Sequence, residues 1–231
     1  MTDAPAVSVI VPAYNEAGTI EDVVRGIERV LARWPGSHEI IVVDDGSRDR
    51  TGEIAASLAK QLPIVRLVQL PQNRGYGAAQ QTGIAHARGE LVCLLPADGQ
   101  IPASALDAYL RAAPVADVVI GAYRVRADSR ARRLSSWLYR TVVRLLFGFS
   151  VRNINAPKLY RRADLAGLPL RSTGGFADAE IVIQLHARGR SFHEVEIECL
   201  PRTAGQSSVG WRAAAYALIE LVKFWRSGRY R

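Results

Sequence analysis

The chain has 231 residues, 48% of them hydrophobic, which is enough for one large domain with a filled core. Its formal charge is +8, yet no uncharged apolar run reaches the roughly 18–20 residues of a membrane span, and Asp3 and Pro5 stand where a secretory signal would begin. Two cysteines, Cys93 and Cys199, read as reduced packing thiols, and His38, His86, His186 and His193 lack metal-ligand spacing, which argues against zinc.

A β-branched run at 7–11 (VSVIV) predicts a first strand, stopped by Pro12. Ile20, Val23, Val24, Ile27, Val30 and Leu31 then recur at helical spacing over 19–31. Residues 39–43 (EIIVV) predict a second strand, ended by Asp44-Asp45-Gly46-Ser47, with a helix over about 51–61 behind it. A third strand at 64–70, an Ala-rich helix at 77–87 and a fourth strand at 91–95 follow, the last ended by Pro-Ala-Asp-Gly-Gln. A fifth strand at 117–121 leads into a basic stretch from Arg124 to Arg133. Leu134, Trp137, Leu138, Val142, Leu145, Leu146 and Phe149 then share one helical face, and Trp211, Ala215, Leu218, Val222 and Trp225 share another.

Apolar strands alternating with helices predict an α/β fold, a mostly parallel central sheet with helices on both faces. Ligands of such sheets gather at the carboxyl ends of the strands. The informative segments are therefore PAYNE (12–16), DDGS (44–47), PQNRGYG (71–77) and PADGQ (96–100). No Walker loop, dinucleotide fingerprint or Gly-x-Ser-x-Gly elbow is present. Instead the first two tips carry Glu16, Asp44, Asp45 and Asp49, which can accept hydrogen bonds from a base or from ribose hydroxyls. Asp45-Gly46 also reads as a turn, and Asp49 as a helix cap.

Charge is uneven along the chain. Residues 1–120 hold ten Lys/Arg against fourteen Asp/Glu, and residues 121–231 hold twenty against eight. The basic half calls for an acidic partner, such as an anionic membrane surface or a phosphorylated ligand. The acidic strand tips and the absence of a binding motif argue against nucleic acid.

Taken in order, residues 9–16 (VIVPAYNE), 41–47 (IVVDDGS) and 73–75 (NRG) resemble the family 2 glycosyltransferases, whose GT-A fold binds a nucleotide-sugar. Residues 174–180 (GGFADAE), Gly189, 194–197 (EVEI) and 202–207 (RTAGQS) resemble the later motifs of the polyprenyl-phosphate branch, which includes dolichol-phosphate mannose synthases. The resemblance covers about 7–208. It implies a GT-A domain over 1–208, with an amphipathic helix at about 130–149, and a C-terminal amphipathic helix over 209–231.

The resemblance places Pro12, Ala13, Tyr14, Glu16, Asp44, Asp45, Arg74, Gly75, Ala97, Asp98, Gln100 and Arg202 at the nucleotide-sugar. In this family the fourth strand ends in an Asp-x-Asp motif that binds Mg²⁺ or Mn²⁺ on the donor diphosphate. Here Pro96 replaces the first acid, so Asp98 and Gln100 are the implied metal ligands, with phosphate oxygens and water completing the shell. The implied reaction is inverting transfer of a sugar to a dolichyl or undecaprenyl phosphate, by a protein peripheral to the cytoplasmic face of the membrane. Such an acceptor is already anionic and needs no general base. Arg124, Arg133 and Lys158 are the implied acceptor-phosphate ligands, Arg202 a diphosphate ligand, and Asp178 an acid near the anomeric carbon or a helix cap. The chain departs from the pattern at Asn153, where the family has Asp. Two alternatives stay open: transfer to a glycan with Asp178 as base, or a catalytically degenerate nucleotide-sugar-binding protein.

Overall fold

The computed structural model describes residues 6–124, 130–201 and 211–230, with the backbone alone at 130–134 and 211–215. In chain order the elements are β1 (Val7–Ala13), α1 (Ile20–Leu31), β2 (His38–Asp44), α2 (Thr51–Gln61), β3 (Val65–Gln69), α3 (Tyr76–His86), β4 (Leu91–Leu94), α4 (Ala105–Ala112), β5 (Val118–Tyr123), α5 (Arg130–Phe147), β6 (Lys158–Arg161), α6 (Arg162–Leu165), α7 (Ala177–Ala187), β7 (Phe192–Ile197) and α8 (Trp211–Ser227).

Seven strands form one sheet in the order β3-β2-β1-β4-β6-β5-β7. Every pairing is parallel except those of β6, which runs antiparallel to both β4 and β5. Side chains alternate between two cores, as the two-residue period of a strand requires. Val9, Val11, Ile40 and Val42 join the core under α1, α2 and α4, while Ile10, Ile41 and Val43 join the one under α3 and α7. Both faces are covered, and β1 is buried along its whole length.

The sequence pattern locates the first four strands and three helices to within a residue or two. It does not show α4, β6 or β7. The reason is visible in β6: Lys158-Leu159-Tyr160-Arg161 is four residues long with a cation at each end, yet it is central because β4 and β5 close on both its edges.

The two amphipathic segments are helices α5 and α8, packed side by side. Their inner residues, Val143, Leu221 and Phe224, are buried in the second core, so α8 is part of the fold and not an appendage. Phe224 meets the Phe176 ring edge-on at 5.5 Å between centroids. Their outer residues are exposed, Leu145 at 77% and Trp137 at 55%, with Tyr216, Ile219, Val222 and Trp225 beside them. Among the described residues no helix is long and apolar enough to cross a membrane. Cys93 is buried and Cys199 partly so, neither in a disulfide, and burial pushes the Cys93 thiol up, as expected of a packing residue.

At the amino end of the strands Glu39 ties three segments together. It accepts the Ser8 hydroxyl at 2.7 Å, the Arg88 backbone N–H at 2.8 Å and the Arg66 guanidinium at 2.8 Å. Burial alone would raise its pKa. Ser8, the Arg88 backbone, and the Arg66 and Arg88 side chains outweigh that and hold it below the ordinary 4.5. A lowered carboxylate contributes stability that is complete above about pH 4.5 and lost as pH falls through the folded-state value. Glu39→Gln is expected to cost about 2 kcal/mol at neutral pH, discounted because both arginines are partly in water. Denaturant melts from pH 3 to 7 check this: the gap between wild type and variant should close toward the acid end.

Candidate functional site

The carboxyl ends of β1, β2 and β4 meet at one edge of the sheet, and their loops are laced together before any ligand arrives. Asn15, at φ 56, occupies the left-handed region that Asn tolerates. Its N–H donates to Ser47 Oγ at 3.0 Å, and its Oδ1 accepts the Arg48 N–H at 2.8 Å. Glu16 donates its N–H to Thr51 Oγ1 at 2.8 Å. Asp49 accepts from the N–H groups of Ala17 and Thr51 and from the Thr51 hydroxyl; against the raising effect of burial, those bonds hold its pKa below the usual range. It serves the loop, as the turn-and-cap reading expects.

Asp44 and Asp45 stand at the centre, only 4% and 3% exposed. Asp44 accepts the Ser47 N–H at 3.0 Å and Gln69 Nε2 at 3.3 Å. Asp45 accepts the N–H groups of Arg74 and Gly75, one on each oxygen, both at 2.8 Å. Each carboxylate thus takes part of its hydrogen bonding from the protein itself. A buried carboxylate needs hydrogen-bond partners, and by taking two from Arg74 and Gly75 Asp45 shapes the 71–77 loop. Pro12 and Ala13 are buried in β1, whereas Tyr14 and Arg74 are exposed at the rim.

The β4 tip is a tight turn through Gly99 at φ +68, with the Gln100 N–H on Asp98 Oδ1 at 3.1 Å. Thr19 Oγ1 donates to the buried Ala97 carbonyl at 2.7 Å and anchors the turn to α1. Gln100 is clasped to the segment after β7: its carbonyl accepts the Leu200 N–H at 2.7 Å, and its Nε2 donates to the Leu200 carbonyl at 3.3 Å. That bond turns its Oε1 to the other side of the amide. One carboxylate and one amide oxygen, two residues apart, fit a hard divalent cation whose shell is completed by diphosphate and water. Among the described residues no three His, Cys, Asp or Glu side chains converge on a metal position.

Tyr76, Gln80 and Tyr123 were not singled out from the sequence; Tyr76 follows the 71–75 loop at the strand-tip edge, near Tyr123, and Gln80 lies buried behind it in α3. Tyr76 is 37% exposed, and its hydroxyl lies 3.4 Å from Nε2 of the buried Gln80. Burial first, then the charges of Asp178 and Asp98 and the neighbouring Tyr123, push that phenol well up. Through Gln80 that hydroxyl is linked to Asp178 at the start of α7. The signal in the sequence was Gln80, a polar residue inside an Ala-rich helix and wholly buried there.

The predicted acceptor residues separate. Arg124 follows β5 and is exposed, with Nε 3.5 Å from Glu196 Oε2. Arg133 lies where the backbone alone is described, and Arg202 lies outside the described residues. Lys158 is corrected outright: its side chain is fully enclosed and its ammonium is 2.9 Å from Asp178 Oδ1. A group with no path to solvent does not clamp an incoming phosphate. Asn153, where the family carries Asp, accepts the Tyr123 N–H at 3.1 Å and pins the end of β5. Glu180 is a loop anchor, accepting the N–H groups of Arg171 and Ser172.

Comparison with known proteins gives the family and the fold. An undecaprenyl-phosphate 4-deoxy-4-formamido-L-arabinose transferase of Pseudomonas aeruginosa is 31% identical over 222 residues, 94% of this chain and 64% of that protein. A dolichyl-phosphate beta-glucosyltransferase (ALG5C) of Trichomonas vaginalis is 45% identical over 95 residues, 39% of this chain and 28% of that one. The chain thus spans less than two thirds of either relative's length. Mannosyl-3-phosphoglycerate synthase from Rubrobacter xylanophilus superposes with a TM-score of 0.76 at 21% identity, covering 97% of this chain and 75% of that one. Glucosyl-3-phosphoglycerate synthase from Mycobacterium tuberculosis, solved with Mn²⁺, UDP and glucosyl-3-phosphoglycerate, gives 0.75 at 20% identity, covering 95% and 79%. These two likenesses show the fold, which is GT-A. The model of glycosyl transferase family 2 matches residues 8–175, most of the sheet and every strand-tip segment described above, and the chain belongs to that family.

Proposed function

We propose that this protein moves a sugar, with inversion, from a nucleotide-diphospho-sugar to a polyprenyl phosphate at the cytoplasmic surface of a membrane. Tyr14, Glu16, Arg74, Gly75, Ala97, Asp98 and Gln100 form the donor wall, backed by Pro12, Ala13, Asp44 and Asp45. Mg²⁺ or Mn²⁺, when bound, would offset the charge of the diphosphate, and Asp98 and Gln100 would hold it. Arg124 and Arg133 receive the acceptor phosphate, and Arg202 the diphosphate. A phosphate oxygen bonds to the anomeric carbon as the diphosphate oxygen leaves with the bonding pair from the opposite face. No proton changes hands, so the task is to hold two anions together.

The observation that carries the lipid acceptor is the outer face of α5 and α8. Trp137, Leu138, Leu145, Ile219 and Trp225 are exposed there, with Arg144, Lys223 and Arg226 also exposed on the same helices. Apolar and aromatic residues among cations suit the boundary of an anionic bilayer. The relatives named above point the same way, since their names specify dolichyl and undecaprenyl phosphates.

The test is incubation with a panel of nucleotide-sugars, polyprenyl phosphate and Mg²⁺ or Mn²⁺, with the lipid product identified by mass. A glycosylated lipid phosphate is the expected product; transfer only to glycan hydroxyls sinks the proposal. Sedimentation with liposomes tests the surface separately. Binding should rise with anionic lipid and fall with salt, each basic residue contributing about 1 kcal/mol near the surface. Equal binding to neutral vesicles at every salt concentration would count against it.

A further inference from the structure

Beneath the Tyr76 side of the cleft lies a charged pair that neither the donor wall nor the acceptor clamp uses. Lys158 opens β6, the strand held between β4 and β5, and its ammonium donates to the Ala156 carbonyl at 2.6 Å and to Asp178 Oδ1 at 2.9 Å. The same Asp178 oxygen accepts Gln80 Nε2 at 2.9 Å, and that amide nitrogen lies 3.4 Å from Tyr76 Oη. The chain Lys158–Asp178–Gln80–Tyr76 therefore runs from the middle of the sheet to the cleft wall. It joins β6, α7 and α3, elements far apart in sequence. The phenols of Tyr76, Tyr160 and Tyr139 feel the Asp178 charge from α3, β6 and α5. Lys158 faces the same carboxylate from the start of β6. Gln80 Oε1 and Tyr160 Oη are buried beside it without a protein partner.

We propose that Lys158 is a positioning residue that holds Asp178 as a charge-balanced anchor for Gln80 and Tyr76, and that Asp178 takes no proton from the acceptor. The inference rests on the transferase reading of the cleft but not on the lipid nature of the acceptor. A buried ion pair is tolerated while both charges and their remaining hydrogen bonds are satisfied, and removing one partner strands the other. A proton placed on Asp178 would do the same, leaving the enclosed ammonium without its counter-charge. A hydroxyl acceptor needs a base within hydrogen-bond reach, about 2.6–3.2 Å, to take its proton. An acceptor oxygen that arrives ionised, as on a phosphate monoester, makes no such demand. The pair thus fits an anionic nucleophile and separates the two readings of Asp178 that the sequence left open.

A double-mutant cycle tests this. Asp178→Asn leaves the buried ammonium unpaired, and Lys158→Met leaves the carboxylate unpaired. Each single change should lower turnover by about 100-fold or more and lower the melting temperature. The double variant Lys158→Met/Asp178→Asn removes both charges and keeps an acceptor for Gln80. It should recover to within about tenfold of wild type, with a kcat/KM–pH profile of unchanged shape, whereas loss of a general base costs about 10²–10⁴-fold and no second substitution restores it. A double variant as inactive as Asp178→Asn, with the acid limb of its profile abolished, overturns the proposal.

Should the charge variants fail to fold, Gln80→Leu keeps the ion pair and cuts its link to Tyr76. Titration with nucleoside diphosphates and Mn²⁺ should then show affinity weakened about tenfold, and affinity equal to wild type overturns the positioning role. The acceptor is scored separately. A rescued double variant that uses only hydroxyl acceptors removes the polyprenyl-phosphate reading and keeps this one. An unrescued variant of an enzyme that makes the lipid product does the reverse.

Discussion

Asp98→Ala is expected to lower turnover by about 10²–10³-fold while weakening donor binding far less. The diphosphate gains negative charge as the glycosidic bond breaks, so a group that helps balance it acts more on the transition state than on the bound substrate. Asp98 is held for that task by the Gln100 N–H, by the left-handed Gly99 and by the Thr19 bond to the Ala97 carbonyl. Excess Mg²⁺ or Mn²⁺ should rescue little, because the ligand and not the ion is missing. Pro96→Asp restores the acid found in the family motif and should tighten Mn²⁺ binding in a titration. It need not speed turnover, since slower release of the metal diphosphate offsets the gain. Full activity of Asp98→Ala in the presence of a chelator would falsify the metal assignment.

Gly75→Ala is expected to remove donor binding and about 3 kcal/mol of stability together, by strain and by collision. Gly75 sits at φ +94 and ψ 159, a conformation open to glycine and costly for any L side chain. A β-carbon there would stand 2.5 Å from the Thr173 carbonyl oxygen, which is backbone and cannot swing aside. That carbonyl also accepts the Gly77 N–H at 2.8 Å, so the collision would pry the start of α3 from the segment leading to α7. Relief by moving the loop would break the Gly75 bond to Asp45 and displace Arg74 from the rim. For a domain of this size the loss corresponds to a melting temperature lower by about 6–12 °C. Calorimetry and a nucleotide titration on one sample check both halves. A variant that melts like wild type and binds donor normally would show that the loop tolerates a side chain.

Both expectations concern strand tips that could be read from the sequence. VSVIV, EIIVV and LVCLL are local patterns whose apolar continuity implies a sheet covered on both faces, and a parallel sheet puts the following residues at one edge. DDGS, NRG and PADGQ therefore fall together at that edge, and the family resemblance implies that it is the donor side. The amphipathic stripes of α5 and α8 were legible for the same reason: helical periodicity depends only on neighbours a few residues apart.

What each polar group is bonded to was not legible, because those partners are set by which strands become adjacent. Asp45 meets Arg74 and Gly75 from 29 and 30 residues away, and Gln80 meets Asp178 from 98. Lys158 is the sharpest instance. A lysine in a sequence is exposed by default, since burying an unpaired ammonium costs several kcal/mol or more, and its place in a basic half invited a role as a phosphate clamp. The fold inserts β6 between β4 and β5, closes both faces over it and brings Asp178 to within 2.9 Å. The sequence alone determined five of the seven strands, their alternation with helices and the family motifs at the strand tips. Only the tertiary structure decided which charges face the cleft and which neutralise one another beneath it, because a charge is stable in the interior only where the fold supplies its counter-charge.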